Sequence, residues 1–271
     1  MGSTISCPDM NANSTDELNA KAAELQDCLD ETMKGGEHAP FYFLEFLKQL
    51  FSLTVAKDGQ SFLMIETYFD KEKKQDCYII CGPKRKILDT SAEVGRESYQ
   101  PMRLNDGRYA YIYYQCFLNK DNNNYLTVAN SKFAYQLDEK GIDTVLRIEY
   151  QREAANHYPA SHFHIHGRWI HEELEEAKEL VKFHFPAVRS SIESFVLLLI
   201  NEFEVKTNSD LTKVKPLLRR FENVFLDIAR KKRLDAAASE IPRTSWNAWL
   251  VLKISLLFLS VLRFPSLLGW N

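Results

Sequence analysis

The chain of 271 residues is poor in cysteine and has almost no net charge. Its five cysteines are an odd number and form no CxxC pair, which argues against the disulfide framework of a small secreted protein. The formal net charge is only −3, so no global field draws the protein to nucleic acid or to anionic lipid. Any binding of phosphate therefore requires a local cluster of charged side chains.

The sequence also lacks an uninterrupted hydrophobic run long enough to span a bilayer. Residues 248–262 are almost wholly apolar, but Lys253 and two serines interrupt them and they fall short of about 18–20 residues. We expect the apolar tail, residues 241–271, to form a buried amphipathic helix; membrane contact through residues 246–268 is the alternative and is not favoured. Residues 1–15 have neither a basic start nor an apolar run, so we expect a flexible segment and a cytoplasmic protein.

Common catalytic signatures are missing from the sequence. It contains no phosphate-binding loop, no dinucleotide fingerprint and no GxSxG nucleophile elbow. The two-histidine motif of zinc proteases is absent as well, because His171-Glu172 is not followed by a histidine at position 175. Chemistry must therefore be sought in a less common arrangement of side chains.

Hydrophobic periodicity separates helical ends from a middle that is rich in strands. Helical spacing covers residues 16–33 and 41–53 near the start, with Gly35-Gly36 as a stop, and residues 171–184, 190–203 and 210–233 near the end. Between them, segments rich in β-branched and aromatic residues alternate with turn-forming stretches. We predict an α+β fold: a mostly antiparallel sheet of five to six strands, flanked by N-terminal and C-terminal helices and forming one domain over residues 16–240.

Histidine is scarce, yet six of the seven lie within residues 157–184. Three of these six occupy alternate positions of a predicted strand, and alternate side chains of a strand share a face. The preceding strand, residues 144–151, carries a guanidinium and a carboxylate on its polar side. If the two strands pair, their apolar sides must meet the same core, and their polar sides then coincide. We expect one patch made of His162, His164, His166, Arg147 and Glu149.

Three interpretations of this patch remain open. In the first, the protein cleaves or transfers a phosphoester, above all in RNA: His162 and His164 are the acid–base pair or nucleophile, Arg147 holds the phosphate and Glu149 orients an imidazole. In the second, His162, His164 and Glu149 bind a zinc-like divalent metal, in an enzyme or in a non-catalytic regulatory protein that binds a partner. In the third, the row is a solvated polar face.

Two families resemble the chain at these residues. The run HFHIH, residues 162–166, looks like the core motif of the histidine triad nucleotide hydrolases and transferases. That resemblance implies His164 as nucleophile, with His162 and His166 on the phosphate side. The wider stretch, residues 147–167, is similar to the TumE-like prokaryotic toxin proteins, which have an Arg-x-acidic or aromatic strand followed by Pro-x-x-His-x-His. This second resemblance implies a toxin–antitoxin or defence setting, with RNA or a nucleotide and a cognate antitoxin-like protein as partners.

Overall fold

The computed structural model describes residues 10–84, 99–120, 124–152, 160–165, 185–186 and 189–223. The chain divides into two compact units, residues 1–222 and 223–271, and the fold described below lies in the first. The predicted domain boundary at residue 240 and the apolar tail that follows it lie outside the described residues.

Helices stand at both ends of the described fold. Helix α1 (Met10–Lys34) begins ahead of the predicted start at residue 16, and Gly35 and Gly36 end it with positive φ angles of 80° and 91°. Helix α2 (Ala39–Leu53) follows directly, and α3 (Ile192–Asn201) and a helical segment over residues 211–222 follow the sheet. Among these helices, none combines the length and the apolar character that crossing a bilayer requires.

Eight strands form one sheet, and every pair described in it is antiparallel. The longer strands are β1 (Met64–Asp70), β2 (Gln75–Cys81), β4 (Tyr109–Asn119), β5 (Tyr125–Gln136), β6 (Thr144–Gln151) and β7 (Ser161–Ile165), and the short ones are β3 (Met102–Arg103) and β8 (Phe185–Pro186). Their order is β1-β2-β4-β5-β6-β7-β8, with β3 beside β4. The predicted α+β fold is confirmed. The two short strands are additional, because a pair of residues leaves no period in a sequence.

One face of the sheet packs against the helices and forms the core. Phe133 of β5 contacts Phe195 of α3, with ring centroids 5.6 Å apart. In register, Phe133 lies opposite Ile148 of β6, and Ile148 lies opposite Phe163 of β7, so these positions share the core face. Successive side chains of a strand point to opposite faces. The second face of the sheet therefore carries Arg147, Glu149, His162 and His164.

Candidate functional site

The two strands of the predicted site pair as the sequence predicts. Strands β6 and β7 are antiparallel neighbours, and their register sets Arg147 opposite His164 and Glu149 opposite His162. The four side chains share the second face because Ile148 and its partner on β7 occupy the core face. The fifth predicted member, His166, lies outside the described residues.

The two histidines are buried, which disagrees with the interpretation of the row as a solvated face. His162 and His164 are 5% and 3% exposed, whereas the side chain of Glu149 is 23% exposed. The third interpretation is therefore wrong for these two residues. A buried polar side chain destabilises the fold unless polar contacts compensate for its lost hydration.

Glu149 divides its two carboxylate oxygens between different partners. Its Oε2 lies 3.4 Å from Nε2 of His162 and 3.8 Å from Nε2 of His164. Its Oε1 lies 2.9 Å from Nε of Arg147 and 3.5 Å from Nζ of Lys132. One oxygen is thus held by two cations, and the other faces the two imidazoles.

Competing effects act on the pKa of Glu149. Burial opposes ionisation and by itself raises the pKa, but the charge of Arg147, then that of Lys132, and then the two imidazoles act in the opposite direction and prevail. The pKa of Glu149 is therefore lowered, and the carboxylate is ionised at neutral pH. An ionised carboxylate is the form that accepts hydrogen bonds from imidazolium and binds a metal ion.

The geometry of Glu149, His162 and His164 fits a metal ion. Their three donor atoms lie within 4.8 Å of one another, and the two rings converge, with centroids 5.1 Å apart. Tetrahedral zinc with ligands at about 2.0–2.1 Å requires donor atoms about 3.3–3.4 Å apart. The two distances to Glu149, 3.4 and 3.8 Å, are close to that value. Two histidines and a carboxylate leave at least one coordination position open to water or substrate.

Lys132 is a member of the site that sequence reasoning missed. It lies on β5 directly opposite Glu149, on the second face of the sheet. The sequence did contain a signal for Lys132. It is a polar residue next to Phe133 and three before Tyr135, so it points to the face opposite Phe133 and Tyr135, and only residues 137–143 separate β5 from β6. The rule that paired strands share their polar side would have placed Lys132 beside Glu149.

A cavity of about 420 Å³ opens beside the carboxylate on the second face. This volume lies within the range of about 300–1,000 Å³ that is typical of small-molecule sites. Besides Glu149, it is lined by Tyr99, Tyr111, Tyr113, Asn130, Ser131, Lys132, Tyr150 and Gln151. A ligand in this cavity would reach the ionised group of the site.

Comparison of the chain with protein-family models, with curated proteins and with solved structures finds no match. The resemblances to the histidine triad enzymes and to the TumE-like toxins therefore remain predictions. The RNA, nucleotide and antitoxin-like partners that they imply, and the cytoplasmic location, are predictions as well.

Proposed function

We propose that the protein is a metal-dependent phosphoesterase in which Glu149, His162 and His164 bind one zinc-like divalent ion. The observation that carries the proposal is the pair of short distances from Oε2 of Glu149 to Nε2 of two buried histidines, 3.4 and 3.8 Å. Within the part of the chain that the structure describes, this is the one group of three side chains arranged to hold a metal.

Arg147 and Lys132 fix the direction of the carboxylate. Both contact Oε1 of Glu149, so the second oxygen stays turned toward the imidazoles. Outer partners that orient a metal ligand typically change metal affinity by about 10–100-fold, and these two ion pairs hold Glu149 in that way. Loss of the carboxylate would leave two cations beside the imidazoles and would remove one of the three donors.

The charge of the site suits an anionic substrate. Arg147 and Lys132 together carry one positive charge more than Glu149 neutralises. A divalent ion would add to this excess and would act as a Lewis acid that polarises a phosphoryl oxygen and activates water. In hydrolysis the water oxygen bonds to phosphorus while the bond to the leaving oxygen breaks; the water loses one proton and the leaving oxygen gains one.

A metal-free mechanism is the second candidate, and the same contacts favour it. An ionised Glu149 orients the neighbouring imidazoles, which can then accept and donate protons around a phosphoester. The third candidate is a non-catalytic protein that binds metal for a regulatory purpose. The three candidates differ in whether metal binds and in whether activity depends on it.

The test combines metal content with turnover. The purified full chain is equilibrated with zinc and dialysed, its zinc is counted by mass spectrometry, and hydrolysis of bis(p-nitrophenyl) phosphate is followed with and without a chelator. We expect about one zinc per chain and hydrolysis that the chelator abolishes. His164→Ala should lose both, whereas His38→Ala, a histidine that precedes α2 and lies outside the cluster, should keep both.

The other outcomes each select an alternative. Zinc binding without hydrolysis would favour the regulatory protein. Hydrolysis that survives the chelator but not His164→Ala would favour the metal-free mechanism. If His164→Ala changes neither zinc content nor turnover while the protein stays folded, the proposed site is wrong.

A further inference from the structure

We propose that the cavity beside Glu149 binds the base of a nucleotide, so that the phosphoester presented to the candidate metal site is a nucleotidyl one. The inference rests on the proposed function, because it names the substrate class of the same site. Three features carry it: the order of side chains across the sheet, the aromatic wall of the cavity and the polar groups between them.

Four residues in register form a row across the second face. Tyr113 of β4 lies opposite Lys132, Lys132 opposite Glu149, and Glu149 opposite His162. Neighbouring strands are about 4.8 Å apart, so the backbone of Tyr113 lies about 10 Å from that of Glu149. The row thus runs from an aromatic ring through a cation to the carboxylate and imidazole of the candidate metal site.

The end of the cavity away from the histidines is aromatic. The rings of Tyr99 and Tyr113 lie with their centroids 6.1 Å apart and tilted by 35°, and Tyr111 lines the cavity on the same strand as Tyr113. Aromatic side chains are the usual platform on which bases of nucleotides stack, whatever their sequence. A ligand made only of phosphate has no flat ring that could stack on these aromatic side chains.

Hydrogen-bonding groups border the aromatic wall. Asn130 and Gln151 lie opposite each other in register, and both line the cavity. Burial raises the pKa of Tyr113 to about 12 and that of Tyr99 to about 12, so both phenols keep their protons at neutral pH. The Tyr99 hydroxyl donates to Oε2 of Glu66 and the Asn130 amide donates to Gln115, so the Gln151 amide and the Tyr113 phenol are the groups that can serve the polar edge of a base.

Lys132 connects the aromatic wall with the candidate metal site. Its Nζ lies 3.5 Å from Oε1 of Glu149, and its side chain lines the cavity. An ammonium at this place can pair with a phosphate whose base lies against Tyr113 and whose scissile bond lies toward Glu149. One cavity therefore offers a place to each part of a nucleotide.

The test is a calorimetric titration of the zinc-loaded full chain with two probes, uridine monophosphate and ribose 5-phosphate, which has the same sugar and phosphate but no base. We expect uridine monophosphate to bind at least about five-fold more tightly, because stacking accounts for the difference. A uridine trinucleotide is the third probe: tighter binding than the monophosphate indicates an RNA strand as the source of the nucleotide, and equal binding indicates a free nucleotide.

Variants of one strand show whether the aromatic wall is responsible. Tyr113→Leu should remove the preference for the base, and Tyr113→Phe, which keeps the ring, should retain it. Tyr109→Leu is the matched control, since Tyr109 lies on the same strand and face but outside the lining of the cavity. The Phe variant keeps the test decisive even if the Leu variant is poorly folded, because loss of preference in Tyr113→Phe would contradict stacking.

The inference is overturned if the wild type binds both monophosphates equally, or if the preference survives in a folded Tyr113→Leu. Zinc content and hydrolysis of bis(p-nitrophenyl) phosphate, measured on the same preparation, test the proposed function separately. Zinc and hydrolysis without a base preference would overturn the inference alone. A base preference without zinc or hydrolysis would overturn the proposed function and would support the nucleotide site.

Discussion

At the scale of single residues, Glu149 is the side chain on which the site depends. Its Oε1 is held by cations of β5 and β6, and its Oε2 faces two buried histidines of β7. A carboxylate fixed on one oxygen presents the other in a defined direction, as a metal ligand requires. The pKa of Glu149, lowered by its neighbours against the effect of burial, keeps it ionised at neutral pH.

Glu149→Gln keeps the shape of the side chain and removes its charge. We expect zinc affinity to fall by more than about 100-fold, because loss of a ligand exceeds the loss of about 10–100-fold seen for groups that only orient ligands. Competition with a coloured chelator measures the affinity. Glu66→Gln, which alters a carboxylate of β1 paired with Lys84 on the same face, is the matched control and should bind zinc as the wild type does. Equal affinities in the two variants would contradict the assignment of Glu149.

Glu193, which lies away from the candidate site, should make the stability of the protein depend on pH. This carboxyl lies in the first turn of α3 and is 5% exposed; burial raises its pKa, although hydrogen bonds from its own backbone and Ser191 act in the other direction. Because its pKa is raised in the folded protein, ionisation of Glu193 lowers the free energy of unfolding. The loss is complete at pH values above the folded-state pKa. The loss disappears as the pH falls toward the ordinary value of about 4.3.

Glu193→Gln should therefore raise the melting temperature at pH 7–8, with a gain that shrinks as the pH falls and vanishes below about pH 4. Melting curves over a pH series measure this. The exposed Glu202, at the other end of the same helix, supplies the control, and Glu202→Gln should have little effect at any pH. A gain that increases on acidification would show that the sign is wrong.

At the scale of elements, the approach of two loop segments positions one wall of the cavity. Gly82 follows β2, and a Cβ built on it would lie 2.0 Å from the carbonyl oxygen of Gln100. The same segments are joined by a hydrogen bond from Gln100 N to Pro83 O of 2.7 Å and by a bridge between Lys84 and Tyr99. Only glycine permits this contact, which holds Tyr99 beside Tyr113.

Gly82→Ala should force the two segments apart. We expect a loss of stability of about 1–3 kcal/mol, as for other overpacked sites, and a displaced Tyr99 that weakens nucleotide binding. Denaturant unfolding and the calorimetric titration measure the two effects. Pro83→Ala, which keeps the carbonyl acceptor, should change both much less. Unaltered stability in Gly82→Ala would mean that the close approach is not a feature of the folded protein.

The pairing of β6 with β7 could be predicted from the sequence, whereas the cavity beside Glu149 could not. Alternation in β6 and β7 assigns Ile148 and Phe163 to the core, and the polar partners follow from the pairing of strands. The alternation of polar and apolar residues does not indicate whether a polar face is exposed or covered. The burial of His162 and His164 was therefore not predicted. Tyr99 belongs to no long strand: an isolated bridge pairs it with Lys84, and such a bridge leaves no periodic trace from which its ring contact with Tyr113 could be predicted.

At the scale of the described unit, the two faces of the sheet have different roles: one packs in the core, and the other carries the candidate site. The core face packs against α2 and α3; Phe43 of α2 and Tyr114 of β4, for example, have ring centroids 5.0 Å apart. The second face carries the candidate metal site and the tyrosine cavity. The sequence predicts the α+β arrangement and the shared polar side of β6 and β7, but not the tyrosine cavity.

A change to the core face should therefore affect stability and leave the site intact. Phe195→Ala removes a fully buried ring that contacts Phe133 and should cost about 3–5 kcal/mol of unfolding free energy. Zinc affinity, measured under conditions where the variant is folded, should equal that of the wild type. Phe195→Leu, with a smaller loss, repeats the comparison if the Ala variant unfolds. A loss of zinc affinity in the folded Leu variant would show that the two faces are coupled.

The most direct measurement is the anomalous scattering of zinc in crystals of the full chain grown with that metal. We predict one strong peak about 2.0–2.1 Å from Oε2 of Glu149 and from Nε2 of both His162 and His164. Crystals of Glu149→Gln should lack the peak. A wild-type map with no anomalous density among these three atoms, or with zinc bound by other side chains only, would contradict the central claim.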